Sequence, residues 1–266
     1  METVLMERVI RSGRVEERYR YRISRCPAPK SIRRKGGTLP RKQDQNERSA
    51  LKRFTRTINA NFEAGDLLIG PTYDDAHLLP MLAQAGEDLD ALNALAMEQQ
   101  RLFLRRLKRE LAKVGVELRC IAMASDMDGA TGEVVREHHH IIVKGDGFAW
   151  RDKTMWIGGR KLDEIWGLGS VGVKVVDSRI DHAAMAAYLW RQVRRIPDRK
   201  KYSPTRNLRK PELVSEKVVF EDAREIQPPK GARLTYRAEH VVGEGQYIRY
   251  IVPEKKPRKR GGHKKE

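Results

Sequence analysis

Apolar positions are distributed unevenly along the chain, and their spacing divides it into regions. Residues 1–60 are rich in Arg and Lys and show little apolar periodicity, which predicts a basic N-terminal segment. Between residues 61 and 212 apolar runs alternate with polar turns, as is typical of a packed domain of helices and strands. Residues 213–253 carry weaker strand patterns and predict an accessory β region, whereas residues 254–266 are rich in Lys and Arg and predict a disordered tail.

Within the packed domain, the longest helical pattern covers residues 92–115, where leucines recur at close to helical spacing and Gly115 provides a stop. Shorter helices are predicted at 161–169 and at 180–195, the latter opened by Asp181. Strands are predicted at 66–75, where Gly70 and Pro71 interrupt the run, and at 116–125, 134–145 and 170–177. A short connection rich in Asp and Gly joins the second and third of these strands, so they should form an antiparallel hairpin.

Charge narrows the choice of partners. Lys and Arg outnumber Asp and Glu by 54 to 36, which gives a formal net charge of +18. Such an excess favours a polyanionic partner, with nucleic acid ahead of an anionic membrane surface. No apolar stretch approaches the roughly 20 residues that a membrane-spanning helix needs, so we expect a soluble, cytoplasmic protein with no membrane partner. The two cysteines are too few for a disulfide framework.

The sequence REHHHIIVKG, residues 136–145, places a histidine cluster at the start of an apolar strand. Side chains alternate across a strand, so His138 and His140 should share one face while the histidine between them points to the other. Two imidazoles at this spacing can hold one divalent cation, although histidines on a strand are often ordinary core or surface residues. A third ligand, with an oxygen donor, would be needed. Asp126 is favoured over Asp128 and Glu137 because it ends the partner strand of the hairpin.

A second candidate is Tyr188 in the predicted helix at 180–195. Arg191 follows it at a spacing of three, so the phenol and the guanidinium should lie on one helix face. A tyrosine on a helix rich in small residues can equally belong to the core. Together with a metal ion, however, a phenol and a guanidinium are the components of phosphoryl transfer to protein.

The order of these motifs resembles that of the rolling-circle replication initiators, the Rep proteins of plasmids, phages and integrative elements within the HUH endonuclease class. The resemblance covers most of residues 35–215. NFEAGDLLIGPTYDD (61–75) is similar to the first motif of that family, EHHHIIV (137–143) to the second and YLWRQ (188–192) to the third. YSPTRNLRKPELV (202–214) is similar to the basic segment that follows the tyrosine.

The resemblance implies a nicking and joining reaction on single-stranded or hairpin origin DNA by the domain at 61–212. His138, His140 and Asp126 would hold Mg²⁺ or Mn²⁺, and Tyr188 would attack the phosphodiester with Arg191 balancing the charge. The products would be a 5′-phosphotyrosine and a free 3′-OH primer, and host helicase and polymerase are the further partners implied.

The family fold implies an α+β domain with a ferredoxin-like or RRM-like antiparallel sheet, the histidine strand at its centre and helices on one face. The motifs also imply DNA-binding residues, namely Thr72, Arg206, Asn207, Arg209 and Lys210.

Three positions depart from the family pattern. Gly70, Pro71 and Thr72 stand where the first motif usually has Thr-Leu-Thr, Ser125 stands where a ligating Glu is common, and Arg191 replaces a lysine. Arginine keeps the charge but cannot readily exchange a proton. These departures leave two alternatives open: a DNA- or RNA-binding protein without chemistry, and a metal-dependent nuclease that uses water as the nucleophile.

Overall fold

A computed structural model describes residues 3–24, 40–197, 199–220, 225–240 and 245–254. The chain divides into two compact units. The first combines both ends of the chain, Met1–Gly37 and Pro211–Glu266, and the second is Thr38–Lys210.

The described elements, in chain order, are β1 (Thr3–Ser12), β2 (Val15–Ser24), α1 (Pro40–Asn61), β3 (Leu67–Pro71), α2 (Asp75–Ala85), α3 (Leu89–Lys113), β4 (Cys120–Met127), β5 (Val134–Val143), β6 (Phe148–Arg151), β7 (Thr154–Ile157), β8 (Arg160–Lys161), α4 (Leu162–Trp166), β9 (Val171–Val175), α5 (Ala183–Arg191), β10 (Ser203–Pro204), β11 (Glu212–Val219), β12 (Arg233–His240) and β13 (Gly245–Ile251).

The second unit is built on a five-stranded antiparallel sheet in the order β10-β4-β5-β3-β9. The histidine strand β5 lies at its centre, between its hairpin partner β4 and β3. In the β4–β5 register Met123 is opposite His140 and Ser125 is opposite His138, with a bulge between Ser125 and Met127. The mixed α+β class and the antiparallel sheet agree with the prediction.

Helices cover both faces of this sheet, so the predicted placement on one face is wrong. On one face α2, α3 and α4 pack against Ile69, Ala122, Ile141 and Val143. On the other face α1 and α5 pack against Ile121, Met123 and Ile142. The physical reason is the unbroken apolar run at the end of β5, which places buried side chains on both sides of the strand.

The first unit contains a second five-stranded antiparallel sheet, in the order β11-β1-β2-β13-β12. Residues 1–60 are therefore not a single basic segment: β1 and β2 pair with the strands that follow residue 211, and α1 belongs to the second unit. The alternation along β1 is hidden because some of its buried positions are charged. Glu7 is buried and accepts a hydrogen bond from Arg20 at 2.9 Å across the β1–β2 pair.

Between β5 and α4 in the chain, β6, β7 and β8 form a small three-stranded sheet that was not predicted. Its first turn places Asp152 and Lys153 at φ 47° and 61°, a conformation that is uncommon for residues other than glycine. The predicted tail at 254–266 lies outside the described residues apart from Glu254. Among the helices of the described ranges, none is long and apolar enough to cross a membrane.

Candidate functional site

The rings of His138 and His140 converge on one point above the sheet. Their Nε2 atoms are 3.1 Å apart, and the ring planes meet nearly edge to face. Two ligands at about 2.1 Å from a cation and at a right angle to each other would be about 3.0 Å apart. The spacing therefore fits adjacent ligands of one divalent cation.

The two imidazoles differ in which ring nitrogen carries the proton. The Nδ1 of His138 lies 2.9 Å from the carbonyl oxygen of Arg136, so it carries the proton and donates, which leaves Nε2 free to ligate. Burial, with a contribution from the charge of His138, lowers the pKa of His140 to about 4. His140 is therefore neutral near pH 7, as a metal ligand has to be.

Gln192, just beyond the end of α5, contributes the third polar atom. The Nε2–H of His140 donates to the Oε1 of Gln192 at 2.9 Å, because an amide oxygen only accepts, so His140 could ligate through Nε2 once this proton moves to Nδ1. The amide side chain is buried, and its Nε2 has no hydrogen-bond partner within the described ranges. An amide oxygen is an acceptable ligand for Mg²⁺ or Mn²⁺, so His138, His140 and Gln192 form a donor set of two nitrogens and one oxygen.

The bulge in β4 fixes Gln192 in this place. The backbone N–H groups of Asp126 and Met127 both donate to the carbonyl oxygen of Gln192, at 3.2 and 3.1 Å. Because the bulge frees these two groups from the β4–β5 ladder, β4 can hold the end of α5 and direct the Gln192 amide towards β5.

Tyr188 lies one helical turn before Gln192 on α5. Residues four apart on a helix are neighbours on one face, so the phenol extends from the same side of α5 as the amide that contacts His140. The side of α5 that faces the core is formed by Ala186, Leu189 and Trp190, whereas Tyr188 is 46% exposed. Tyr188 is therefore not a core residue and is accessible to a substrate.

Arg191 is exposed on the same side of α5, but it has a structural contact. Its Nε donates to the carbonyl oxygen of Gly129 in the β4–β5 loop at 3.0 Å. A Cβ at Gly129 would lie 3.1 Å from the Cγ of Gln192, so glycine allows this close approach. Arg191 thus attaches the loop to the helix beside the histidine pair.

The middle histidine of the cluster anchors the strand from the opposite face. His139 is completely buried, and its Nδ1 lies 3.2 Å from the Oε1 of Gln100 while its Nε2 lies 2.8 Å from the hydroxyl of Tyr73. Gln100 Oε1 only accepts, so Nδ1–H donates to it and Nε2 accepts from Tyr73. Burial is the main cause that lowers the pKa of His139 to about 3, and the ring is neutral.

Asp126 does not join the histidines, and its predicted role as a metal ligand is wrong. It is 3% exposed, and its carboxylate accepts from the backbone N–H of Arg194 at 3.2 Å and from Nε of Arg194 at 2.9 Å. Asp126 follows Ser125, which is opposite His138, and a step of one residue along a strand reverses the side-chain face. In the ranges that the structure describes, no group of three or more His, Cys, Asp or Glu residues could hold a metal ion.

The other acidic candidates are also directed elsewhere. Glu137 accepts a hydrogen bond from Asn93 of α3 at 3.1 Å, and burial, with repulsion from Asp126, raises its pKa to about 8. Asp128 accepts backbone hydrogen bonds from Ala130 and Thr131 in the β4–β5 loop, and these lower its pKa.

Thr72 lies beside the site. It forms a β-bridge with His138, and its hydroxyl is 3.1 Å from the carbonyl oxygen of Ser170. Gly70, two residues before Thr72, is paired with Gly172. At this pair β3 and β9 therefore present no side chain next to His140. Lys174 is exposed two residues further along β9, and its charge contributes to the lowered pKa of His140. The glycine pair of β3 and β9 therefore leaves the sheet surface beside His140 open, with Lys174 of β9 at its edge.

The basic string at 206–210 lies away from the histidines. Asn207 donates to the carbonyl oxygen of Leu118 at 3.1 Å, and the backbone of Arg209 is paired with the side chain of Asn61 at the end of α1. Thr205 bonds Cys120 at the opposite end of β4 from Ser125, about 17 Å along the strand at about 3.4 Å per residue. Arg206, Arg209 and Lys210 are exposed, but they are not part of the candidate site.

Sequence reasoning missed Gln192 and Lys174. Gln192 falls within the third motif, but an amide four residues after a tyrosine gives no metal signal by itself. Lys174 is one of many lysines in a basic chain, and only strand pairing places it near His140. Comparison with known proteins gives no match: no family model, no curated protein and no solved structure is significantly similar to this chain.

Proposed function

We propose that this protein is a metal-dependent nicking and joining endonuclease that acts on single-stranded or hairpin DNA through a phosphotyrosine intermediate. One arrangement carries the proposal: the Nε2 atoms of His138 and His140 are 3.1 Å apart, with Gln192 Oε1 2.9 Å from His140 and Tyr188 one turn before Gln192. The net charge of +18 supports a polyanionic substrate.

His138, His140 and Gln192 are the residues that would hold Mg²⁺ or Mn²⁺. When bound, the cation would polarise the scissile phosphodiester and offset the negative charge on the leaving 3′ oxygen. His140, whose pKa is lowered by burial, would bind as a neutral ligand, and the bulge in β4 limits the movement of Gln192. The donor set contains no carboxylate: Nε2 of His138 and Oε1 of Gln192 carry lone pairs, and Nε2 of His140 would gain one when its proton moves to Nδ1.

Tyr188 would act as the nucleophile. Its oxygen forms a bond to phosphorus, the bond from phosphorus to the 3′ oxygen breaks, and that oxygen becomes a hydroxyl by taking a proton. The phenolic proton passes to solvent, to which Tyr188 is exposed. The ester bond to Tyr188 retains the energy of the phosphodiester, so the same 3′-OH can reverse the step and rejoin the strand.

The open sheet surface beside the histidines suits a DNA backbone. Gly70 and Gly172 would let the DNA strand approach the sheet closely, because glycine places no side chain above the backbone. Lys174 would supply a positive charge to the bound phosphate, since Arg191 already contacts Gly129. Thr72 would contribute a hydroxyl at the same edge.

The test uses single-stranded oligonucleotides that tile the DNA flanking the coding sequence, each labelled at either the 5′ or the 3′ end. After incubation with Mn²⁺ and denaturation, a 3′-labelled strand should migrate with the protein and a 5′-labelled strand should be shortened and free. Tyr188→Phe should abolish the adduct, and Tyr236→Phe, the same change at an exposed tyrosine of the other unit, should leave it unchanged.

The same gels separate the alternatives. Free ends without an adduct would identify a nuclease that uses water, and intact strands that are nonetheless bound would identify a DNA-binding protein without chemistry. An adduct that persists in Tyr188→Phe would contradict the assignment of the nucleophile. Loss of Mn²⁺-dependent cutting in His140→Ala, but not in Asp126→Asn, is expected from the donor set.

A further inference from the structure

A basic cleft lies in the second unit, away from the candidate site. It has a volume of about 590 Å³ and is formed by α1, Trp190 and residues of the segments 195–197 and 199–204. Its lining includes Arg53, Trp190, Arg195, Lys200 and Tyr202. This volume is within the usual range for a ligand-binding pocket, about 300–1,000 Å³.

Positive charge in the cleft exceeds the local negative charge. Among the residues that the structure describes, five cationic side chains line it, Arg53, Arg195, Arg199, Lys200 and Lys201, against the carboxylate of Glu47. Glu47 is already engaged, with Lys201 Nζ at 3.0 Å and Arg195 NH1 at 3.5 Å. The cleft therefore keeps a net positive charge after its internal ion pairs are counted.

Two of the cations are available to a ligand. Arg53 and Lys200 are both exposed, and in the part of the chain that the structure describes neither has a carboxylate partner. A guanidinium and an ammonium on opposite walls of one cleft are suited to successive phosphates of a strand.

The aromatic side chains of the cleft pack against one another and against α1. Tyr202 packs against Phe54 at 4.7 Å and against Trp190 at 6.2 Å between ring centroids. The Nζ of Lys201 lies 5.0 Å from the centroid of Trp190, whose Nε1 donates to Glu47 at 3.2 Å. These contacts hold the basic segment against α1 without using Arg53 or Lys200.

We infer that this cleft binds the phosphodiester backbone of single-stranded DNA at a position away from the nick. The position rests on the proposed function of Tyr188, whereas the binding of DNA in the cleft does not. Trp190 and Tyr188 extend from opposite sides of α5, and a helix with its side chains is about 10–12 Å across. The cleft would therefore contact phosphates other than the scissile one.

Binding is measured by fluorescence anisotropy of a labelled oligothymidylate of about 16 nucleotides, in EDTA so that no cutting occurs. The variant is Arg53→Gln with Lys200→Gln. Its matched control is Arg105→Gln with Lys108→Gln, which removes the same charges from exposed positions of α3 on the other face of the sheet. All four positions are on the surface, so the variants should fold, and their circular dichroism is compared with that of the wild type.

Loss of two phosphate contacts should reduce the slope of log Kd against log salt by about 1.4, since each contact on single-stranded DNA contributes about 0.7. The control should keep the wild-type slope. A wild-type slope in the Arg53 and Lys200 variant would overturn the inference. If oligoglutamate binds the wild type and loses affinity in this variant while DNA does not, the cleft is a site for acidic peptide instead.

Adduct formation distinguishes this inference from the proposed function. The Arg53 and Lys200 variant should still form the Tyr188 adduct at saturating DNA, because neither residue contacts the histidine pair. If Tyr188 forms no adduct but the cleft variant shows the reduced slope, DNA binding in the cleft is supported and the nicking reaction is refuted. If the adduct forms but the slope is unchanged, the nicking reaction is supported and DNA binding in the cleft is refuted.

Discussion

Removal of one hydroxyl beneath the candidate site should measure how firmly the histidine strand is held. Tyr73→Phe deletes the donor to Nε2 of His139, which lies 2.8 Å away in a fully buried position. Water cannot replace the lost partner, because the ring is enclosed by Trp166 at 5.4 Å and by α3. The Nδ1 of His139 keeps its bond to Gln100, so one acceptor is left unsatisfied.

An unsatisfied buried acceptor costs about 1–3 kcal/mol. We therefore expect the free energy of unfolding of Tyr73→Phe to fall by about that amount, and the melting temperature by about 2–4 °C per kcal/mol for a unit of this size. Urea denaturation followed by circular dichroism gives the free energy, and differential scanning calorimetry gives the melting temperature. Equal m-values for the two proteins would show that the change is in stability and not in the denatured state.

Tyr188→Phe is the matched control for this measurement. It makes the same chemical change at a residue that is 46% exposed, so its unfolding free energy should stay within about 0.5 kcal/mol of the wild type. If Tyr73→Phe is as stable as Tyr188→Phe, the hydrogen bond to His139 does not hold the strand, and the anchoring of the histidine pair from the opposite face is refuted.

Three further predictions concern the same unit. Gly169→Ala should destabilise the protein by about 1–3 kcal/mol, because φ is +149° and a Cβ would lie 2.3 Å from a backbone carbonyl oxygen, whereas Gly159→Ala, in open space, should be near neutral in the same thermal melts. Asp126→Asn should lower the unfolding free energy by about 1–3 kcal/mol, because it weakens the ion pair with Arg194. The Mn²⁺ affinity measured by isothermal titration should stay unchanged, and a large loss of affinity would show that Asp126 is a metal ligand after all. In Cys26→Ser, the thiol of Cys120, whose pKa burial raises to about 12, should not react with a disulfide reagent at pH 8 until urea unfolds the protein; rapid reaction of the folded protein would show the thiol to be accessible.

Local patterns predicted α3, α4, α5 and the strands β3, β4, β5 and β9 of the second unit, but not α1, α2, β6, β7, β8 or β10. The hairpin of β4 and β5 follows from two apolar runs around a turn rich in Asp and Gly, and α3 follows from its leucine spacing. The elements that were missed have weaker local signals. α1 is rich in charged residues and β1 carries Glu7, Arg8 and Arg11, so their apolar positions did not stand out.

Pairing over long distances explains the errors in domain organisation. β1 pairs with β11 across some two hundred residues, and no local pattern indicates which strand a basic N-terminal segment will join. The two-sided burial of β4 and β5 was visible in their continuous apolar runs, but which helices cover each face depends on the packing of α1 and α5.

The candidate site shows where the sequence alone is sufficient and where it is not. That His138 and His140 share a face follows from the period of a β-strand, which the backbone dictates at any position in the fold. The third donor could not be found in this way. Strand alternation turns Asp126 towards Arg194, and the bulge in β4 ties the end of α5 so that Gln192 reaches His140. A side chain's face within one strand is a local property, whereas contact between a helix end and a strand depends on packing, and only the tertiary structure decides it.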